Sequence, residues 1–433
     1  MSIREEGYVV IETGSYQIRA GINVHDTNRA PSVEIGTRVA KLTVPEALDT
    51  SAQPSASGET PAAGETPQAE ADKPKAKQQD NRYVVGNALT ELLREPTKEY
   101  EVIHPIKNGL VENWEALEAL WHHILFKEFA LKKSRNESPV LLAVPSTWTK
   151  DEYERVAQIF FESFNSPGIY ITEQPLLALY GAGSVTGLVI DIGHETTDIT
   201  PVIDSIVQHH ATQQLHLGGK HLEEYLLRLL SANEQIKSQL EGKPIDLSLA
   251  RHIKESGVCR VIPPSTEAEA NAEMEVTLPD GNGKLRLGEV GSQIADPLFR
   301  PELLGKQCIS LQEAAMVSIL ACEPERRPNL WDCVVVTGGT SLIPGLRERV
   351  QQEIEALLAV SENPGETQSH EIKPRVIPEY FTALKDTSAQ HYATYLGGAI
   401  VAKLLFPDAK NYTTKVDYNE RGPSVVHNIE KNY

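Results

Sequence analysis

Apolar and polar positions alternate in a way that divides the chain into short strands and amphipathic helices. Residues 8–22, YVVIETGSYQIRAGI, set apolar and small residues on both sides of a Gly14-Ser15 turn, the pattern of a β-hairpin. Residues 114–129, WEALEALWHHILFKEF, carry apolar residues at helical spacing behind Asn113, a suitable N-cap. SPVLLAVPS at 138–146 is short and apolar, as a fully buried strand requires. A second amphipathic helix is expected at 150–166, and GIYITEQPLLALYGAG at 168–183 runs from strand into helix. GLVIDIGHETTDITPVID at 187–204 repeats the plan of 8–22: apolar strand, acid, glycine turn, apolar strand. A third glycine turn follows the apolar strand in VVVTGGTSLIPGL at 334–346. Beyond it come a helix at 346–358, a polar stretch at 361–372 and a last helix near 388–404.

The repeated hairpin predicts two related α/β halves. Each turn presents backbone N–H groups, and two such turns facing one another are suited to holding a phosphate chain. The run at 47–82, ALDTSAQPSASGETPAAGETPQAEADKPKAKQQD in its main part, has almost no large apolar residue. It cannot bury enough surface to offset the entropy of ordering, so disorder is expected there. PDGNGK at 279–284 reads as a hairpin turn.

Composition narrows the partners. At 433 residues the chain has room for two cores, and its 40% apolar and 23% charged residues are ordinary for a globular protein. A net charge of −19 argues against direct contact with nucleic acid or an anionic membrane. There is no apolar run of about 18 residues and no basic, apolar leader at the N-terminus, so a soluble intracellular protein is expected. Cys259, Cys308, Cys322 and Cys333 have no metal-ligand spacing and are expected as buried free thiols. His122-His123 lie in an amphipathic helix without acidic or thiol partners, so packing is expected there and no metal site. GAGSVTG at 181–187 has the wrong spacing for a dinucleotide loop and precedes its strand, which suits a hinge. Lys220 follows two glycines but is succeeded by His221, which excludes a Walker loop.

Taken together these segments resemble the actin family over nearly the whole ordered chain. IETGSYQIRAG (11–21) resembles the first phosphate loop and VIDIGHETTDITPV (189–202) the second. HPIKNGLVENWEALEALWHHIL (104–125) is similar to the strand and helix of the first domain. ITEQPLLALYGAG (171–183) is similar to the interdomain helix, and VVVTGGTSLIPG (334–345) to the adenosine loop. The resemblance implies an α/β, actin-like fold of the duplicated ribonuclease-H type, with two domains around a central cleft. The first domain comprises 1–181 with 393–433, and the second 182–392.

The departures from the family pattern concentrate at the triphosphate. Glu12, Gly14, Ser15 and Arg19 match the first loop, but Tyr16 stands where the family has a glycine. Asp191 and Gly193 match the second loop, while His194 and Glu195 replace an aspartate and a glycine. Glu195 brings an anion to a place meant for phosphate oxygens. Gln174 matches the glutamine that positions water, but its partner histidine is replaced by Asp198, which leaves both residues vestigial. On the adenosine side Lys254, Glu255, Gly338, Gly339, Thr340 and Tyr392 match, so weak ATP binding stays open while efficient hydrolysis is not expected.

PIKNGLVEN, the second loop and the tail GPSVVHNIEKNY resemble the actin-related proteins of SWI/SNF- and RSC-type chromatin remodellers. That branch implies a non-catalytic nuclear subunit. It would bind the HSA helix of the remodeller's ATPase subunit together with a second actin-related protein. By resemblance the partner groove uses Tyr180, Gly183, Val401 and Leu404; an ordinary core role for the same residues weighs equally. A slow actin-like ATPase and a dynactin-type filament-end subunit are the alternatives.

Overall fold

A computed structural model describes residues 7–22, 29–42, 82–94, 99–240, 242–262, 274–279, 281, 283–361, 372–381 and 387–428. The polar run at 47–82 lies outside these residues except for Arg82, as does most of the stretch at 361–372.

Two mixed sheets carry the fold, and they share one plan. In the first, Val9–Thr13 pairs antiparallel with Gln17–Ile22 on one side and parallel with Val140–Val144 on the other. Gly168–Glu173 continues the parallel run, and Val33–Gly36 and Thr413–Thr414 close the edges. In the second, Gly187–Ile192 pairs antiparallel with Thr197–Ile203 and parallel with Val334–Thr337. Pro374–Arg375 extends the parallel side. The parallel strands read as unbroken apolar runs because helices cover both faces. All five residues of Val140–Val144 are buried.

The helices begin where the sequence supplies caps. Asn113 accepts a hydrogen bond from the Ala116 amide at 2.9 Å. Thr149 and Glu152 form a reciprocal capping box ahead of Lys150–Gln158. The helices Trp114–His123 and Lys150–Gln158 then widen into single π turns, Ile124–Glu128 and Ile159–Ser163, instead of continuing as α-helix. Phe126, Phe160 and Phe164 meet there, with ring centroids 5.8 Å and 5.2 Å apart.

Each sheet has its own apolar core, with Trp121 and Phe160 fully buried in the first and Leu226 and Ile253 in the second. Two smaller clusters surround a helix pair, Gln174–Gly181 and Ala393–Leu405, packed between the sheets. The helices touch backbone to backbone. A Cβ at Gly397 would collide with the Leu177 carbonyl, and one at Gly181 with the Ala393 carbonyl. The helix Ala393–Leu405 is oily on nearly all sides, as an interior helix must be.

Two expectations need correction. Cys308 is exposed, whereas Cys259, Cys322 and Cys333 are buried. His123 does have an acidic partner, Glu128, at 3.0 Å, because the π turn brings residue 128 back beneath the ring; His122 packs on Phe126 and Phe164. Among the described residues no side-chain set could hold a metal ion, and no helix is long and apolar enough to cross a membrane.

Candidate functional site

The two hairpin turns face each other across the cleft between the sheets. Each turn is closed by its own backbone: the Gly14 amide donates to Gln17 O at 3.2 Å, and the Gly193 amide to Thr196 O at 2.9 Å. A Cβ at either glycine would press on that same carbonyl, 2.7 Å and 2.9 Å away, so a glycine is required at both. The first turn is fixed further by Thr37, whose hydroxyl donates to Gly14 O at 2.7 Å. Behind the second turn, Gly219 and Lys220 at the start of a helix donate their amides to Gly193 O and His194 O. Thr340 Oγ1 donates to Gly193 O at 2.8 Å, and Gly338 (φ +90°) passes tightly over Asp191 and Ile192.

Tyr16 crosses the cleft from the first turn. Its ring lies 4.4 Å, centroid to centroid, from the His194 imidazole of the second turn. Its hydroxyl donates to Glu255 Oε1 at 2.8 Å, and the Arg251 guanidinium sits 5.9 Å from the ring centre. Burial, and then the Glu255 hydrogen bond, push the phenol up to about 12. Burial lowers His194 to about 4, with the cations of Lys254, Arg251 and Lys220 adding to the effect. The imidazole is therefore neutral at physiological pH and packs against Tyr16 as an aromatic ring.

Glu195 makes a second crossing. The Asn108 amide, in the tight turn between Ile106–Lys107 and Leu110–Val111 of the first half, donates to Glu195 Oε2 at 2.7 Å. Asn108 adopts φ +50°, a conformation asparagine tolerates better than most residues. Lys220 approaches the other carboxylate oxygen at 3.9 Å.

Acids line the cleft floor. Glu12 pairs with Arg19 at 2.9 Å, yet burial outweighs the arginine and raises the carboxyl above its ordinary range. Arg19 also reaches Glu34 at 3.6 Å, and Tyr392 donates to Glu34 at 2.6 Å with Arg19 over its ring. Asp191 lies directly across the second hairpin from Asp198. Burial first, then Asp198 and Glu12, raise Asp191 to about 7. Asp198 accepts from Gln214 at 2.8 Å and from Thr196 at 3.1 Å. Gln174 donates to the Thr13 carbonyl at 2.9 Å.

The adenosine-side residues also have internal partners. Lys254 and Glu255 do not pair with each other: Lys254 donates to Glu223 at 2.5 Å, while Glu255 holds Tyr16. Glu223 is 1% exposed. Burial alone would raise it, but Arg251 and Lys254 together keep it below the usual carboxylate range. Gly339 is open, with nothing within 4 Å of a Cβ placed there. Of the residues expected to form a partner groove, Val401 is only 3% exposed and belongs to the core, whereas Leu404 is 70% exposed. The two therefore share no solvent-facing stripe. Gly183 lies beneath Pro378 and the Tyr380 hydroxyl, and Tyr180 is half-buried.

Sequence reasoning missed Asn108, Glu223, Arg251, Glu34 and Gln214. Arg251 had a signal, standing three residues before Lys254 on one helix face. The other four come together only through tertiary contacts. A triphosphate lying between the turns needs the gap that the Tyr16 and His194 rings fill. It would also face a carboxylate already bound to a backbone amide. The residues present do not fit that ligand.

Twin α/β halves with glycine turns meeting across a cleft define a protein of the actin type. The actin family profile matches residues 3–431, and the chain belongs to the actin family. Among its relatives, the Schizosaccharomyces pombe SWI/SNF and RSC complexes subunit arp9 is 27% identical along an alignment covering 98% of this chain and 99% of its own. Actin-related protein 7 of Arabidopsis thaliana is 32% identical over 338 residues, 77% of this chain and 86% of its own. Actin-related protein 7 of Oryza sativa subsp. japonica is 31% identical over 337 residues, 76% and 86% respectively.

Proposed function

We propose that this chain is a non-catalytic, architectural subunit of a nuclear SWI/SNF- or RSC-type chromatin remodeller. The observation that carries this reading is the Tyr16 crossing. In an actin fold a bound nucleotide can bridge the two halves, whereas here Tyr16, seated on His194 and bonded to Glu255, spans the same cleft. The pairing of Asn108 with Glu195 adds a second bridge. A body closed by its own side chains needs no fuel to hold its shape. The full-length likeness to a protein named as a SWI/SNF and RSC subunit supports the assignment to such an assembly.

Within that assembly the chain clasps the HSA helix of the ATPase subunit alongside a second actin-related protein. Leu404 and Tyr380 are each 70% exposed, and Tyr380 stands over Gly183; exposed apolar side chains of this kind suit the apolar face of an amphipathic helix. Val401 forms the wall beneath this groove and makes no direct contact. The two domains, 1–181 with 393–433 and 182–392, then act as one rigid clasp.

Affinity purification of the tagged chain from nuclear extract, read by mass spectrometry, tests the proposal. Remodeller ATPase and a second actin-related protein are expected at near-stoichiometric levels. Their absence, or steady phosphate release from the pure chain, would refute it.

A further inference from the structure

A cavity of about 350 Å³ opens where the end of Val140–Val144, the helix Lys150–Gln158, the strand Gly168–Glu173 and the C-terminal turn converge. That volume lies at the small end of the range for ligand pockets and suits a single side chain. Trp148 and Tyr153 line it from one face of the sheet; Tyr170 borders it as well, but its side chain packs with Leu141 on the other face. Trp148 is fixed by its indole N–H, which donates to Gly109 O at 3.1 Å. Glu173, 8% exposed, adds a carboxylate to the lining. That negative charge, after burial, helps raise the Tyr153 phenol, as does Glu152.

The basic side chains already present are peripheral. His209, from the second half, comes within 3.4 Å of Glu173, but its side chain is 59% exposed. Lys150 lines the cavity yet is itself exposed. His427 is turned to Glu154 at 3.3 Å.

We propose that this cavity takes one cationic side chain, an arginine, from a polypeptide partner. Aromatic faces and a carboxylate attract a cation together. A planar guanidinium is favoured over an ammonium because it stacks on a ring while donating to a carboxylate oxygen. The chain's −19 charge draws a basic partner toward the site. His209 is the group that an incoming guanidinium displaces.

Titration of the full-length chain with acetyl-Gly-Arg-Gly-amide, followed by saturation-transfer NMR and calorimetry, tests it. Saturable binding is expected, with none for the norleucine analogue. Glu173→Gln should weaken binding about tenfold, the size of one charge-assisted hydrogen bond. His209→Ala should tighten it severalfold. No saturable binding, or equal affinity in Glu173→Gln, overturns the proposal. Should Glu173→Gln fail to fold, His209→Ala decides alone: tighter binding supports the site, and unchanged or weaker binding overturns it.

Discussion

The two hairpins share a plan but differ in what opposes their acid. In the first, Glu12 faces Arg19 across the strands; in the second, Asp191 faces Asp198. The first acid therefore has a built-in counter-ion, while the second has a like charge for a neighbour. Their turns differ in a complementary way. The first sends out an aromatic ring, Tyr16, and the second a carboxylate, Glu195; each finds its hydrogen-bond partner in the opposite half. A duplicated element can thus keep its backbone while its side chains link the two halves of one chain.

Replacing Arg19 with Met should hit this arrangement hardest. It strands Glu12 in a buried site, and about 3–5 kcal/mol of stability is expected to be lost at neutral pH. Urea denaturation measures this, and the loss should shrink under acid as Glu12 protonates. Asp191→Asn comes next and gives the second hairpin what the first already has, an uncharged balance. The folded Asp191 binds a proton up to about 7, while the unfolded group releases it near 3.8. Across that window the folded state holds the extra proton, so the wild type loses stability as pH rises. The asparagine variant should not follow that decline, and its advantage should be full above about 7. A parallel pair of pH–stability curves would rule out the assigned titration.

Tyr16→Gly with Glu195→Gly opens the turns. A stability loss of about 2–3 kcal/mol is expected from the two missing hydrogen bonds to carboxylates. Equilibrium titration with labelled Mg-ATP should show binding stronger than in the wild type; equal binding would mean that the crossings do not set occupancy. Leu404→Asp should be the mildest for the isolated chain, within about 0.5 kcal/mol. In pull-downs it should abolish capture of the ATPase helix, while Val416→Asp, at another exposed site (65%), should not.

Much of the fold was legible because local pattern and tertiary structure agree. Asn113 caps its helix as its position suggests, and the repeated strand–acid–glycine plan yields matching sheets. The π turns were not legible, since a widened turn keeps the helical apolar spacing that precedes it. At the site, Tyr16 and Glu195 stood out as departures from the family pattern, but what they touch was invisible. Glu255 is 239 positions from Tyr16, and Asn108 is 87 from Glu195. Spacing carries no information over such separations. Val401 and Leu404 show the opposite error: residues three apart on a helix look alike, yet here one faces the core and the other solvent.

The helix pair at the base of the cleft works as a fulcrum. With the Gly397 and Gly181 backbones flush against opposing carbonyls, neither helix has room to slide along the other. Any spreading of the cleft must then be a swing about that seam, and contacts at the far rim act on the longest lever arm. The Tyr16–Glu255 and Asn108–Glu195 hydrogen bonds join the two halves and oppose that swing.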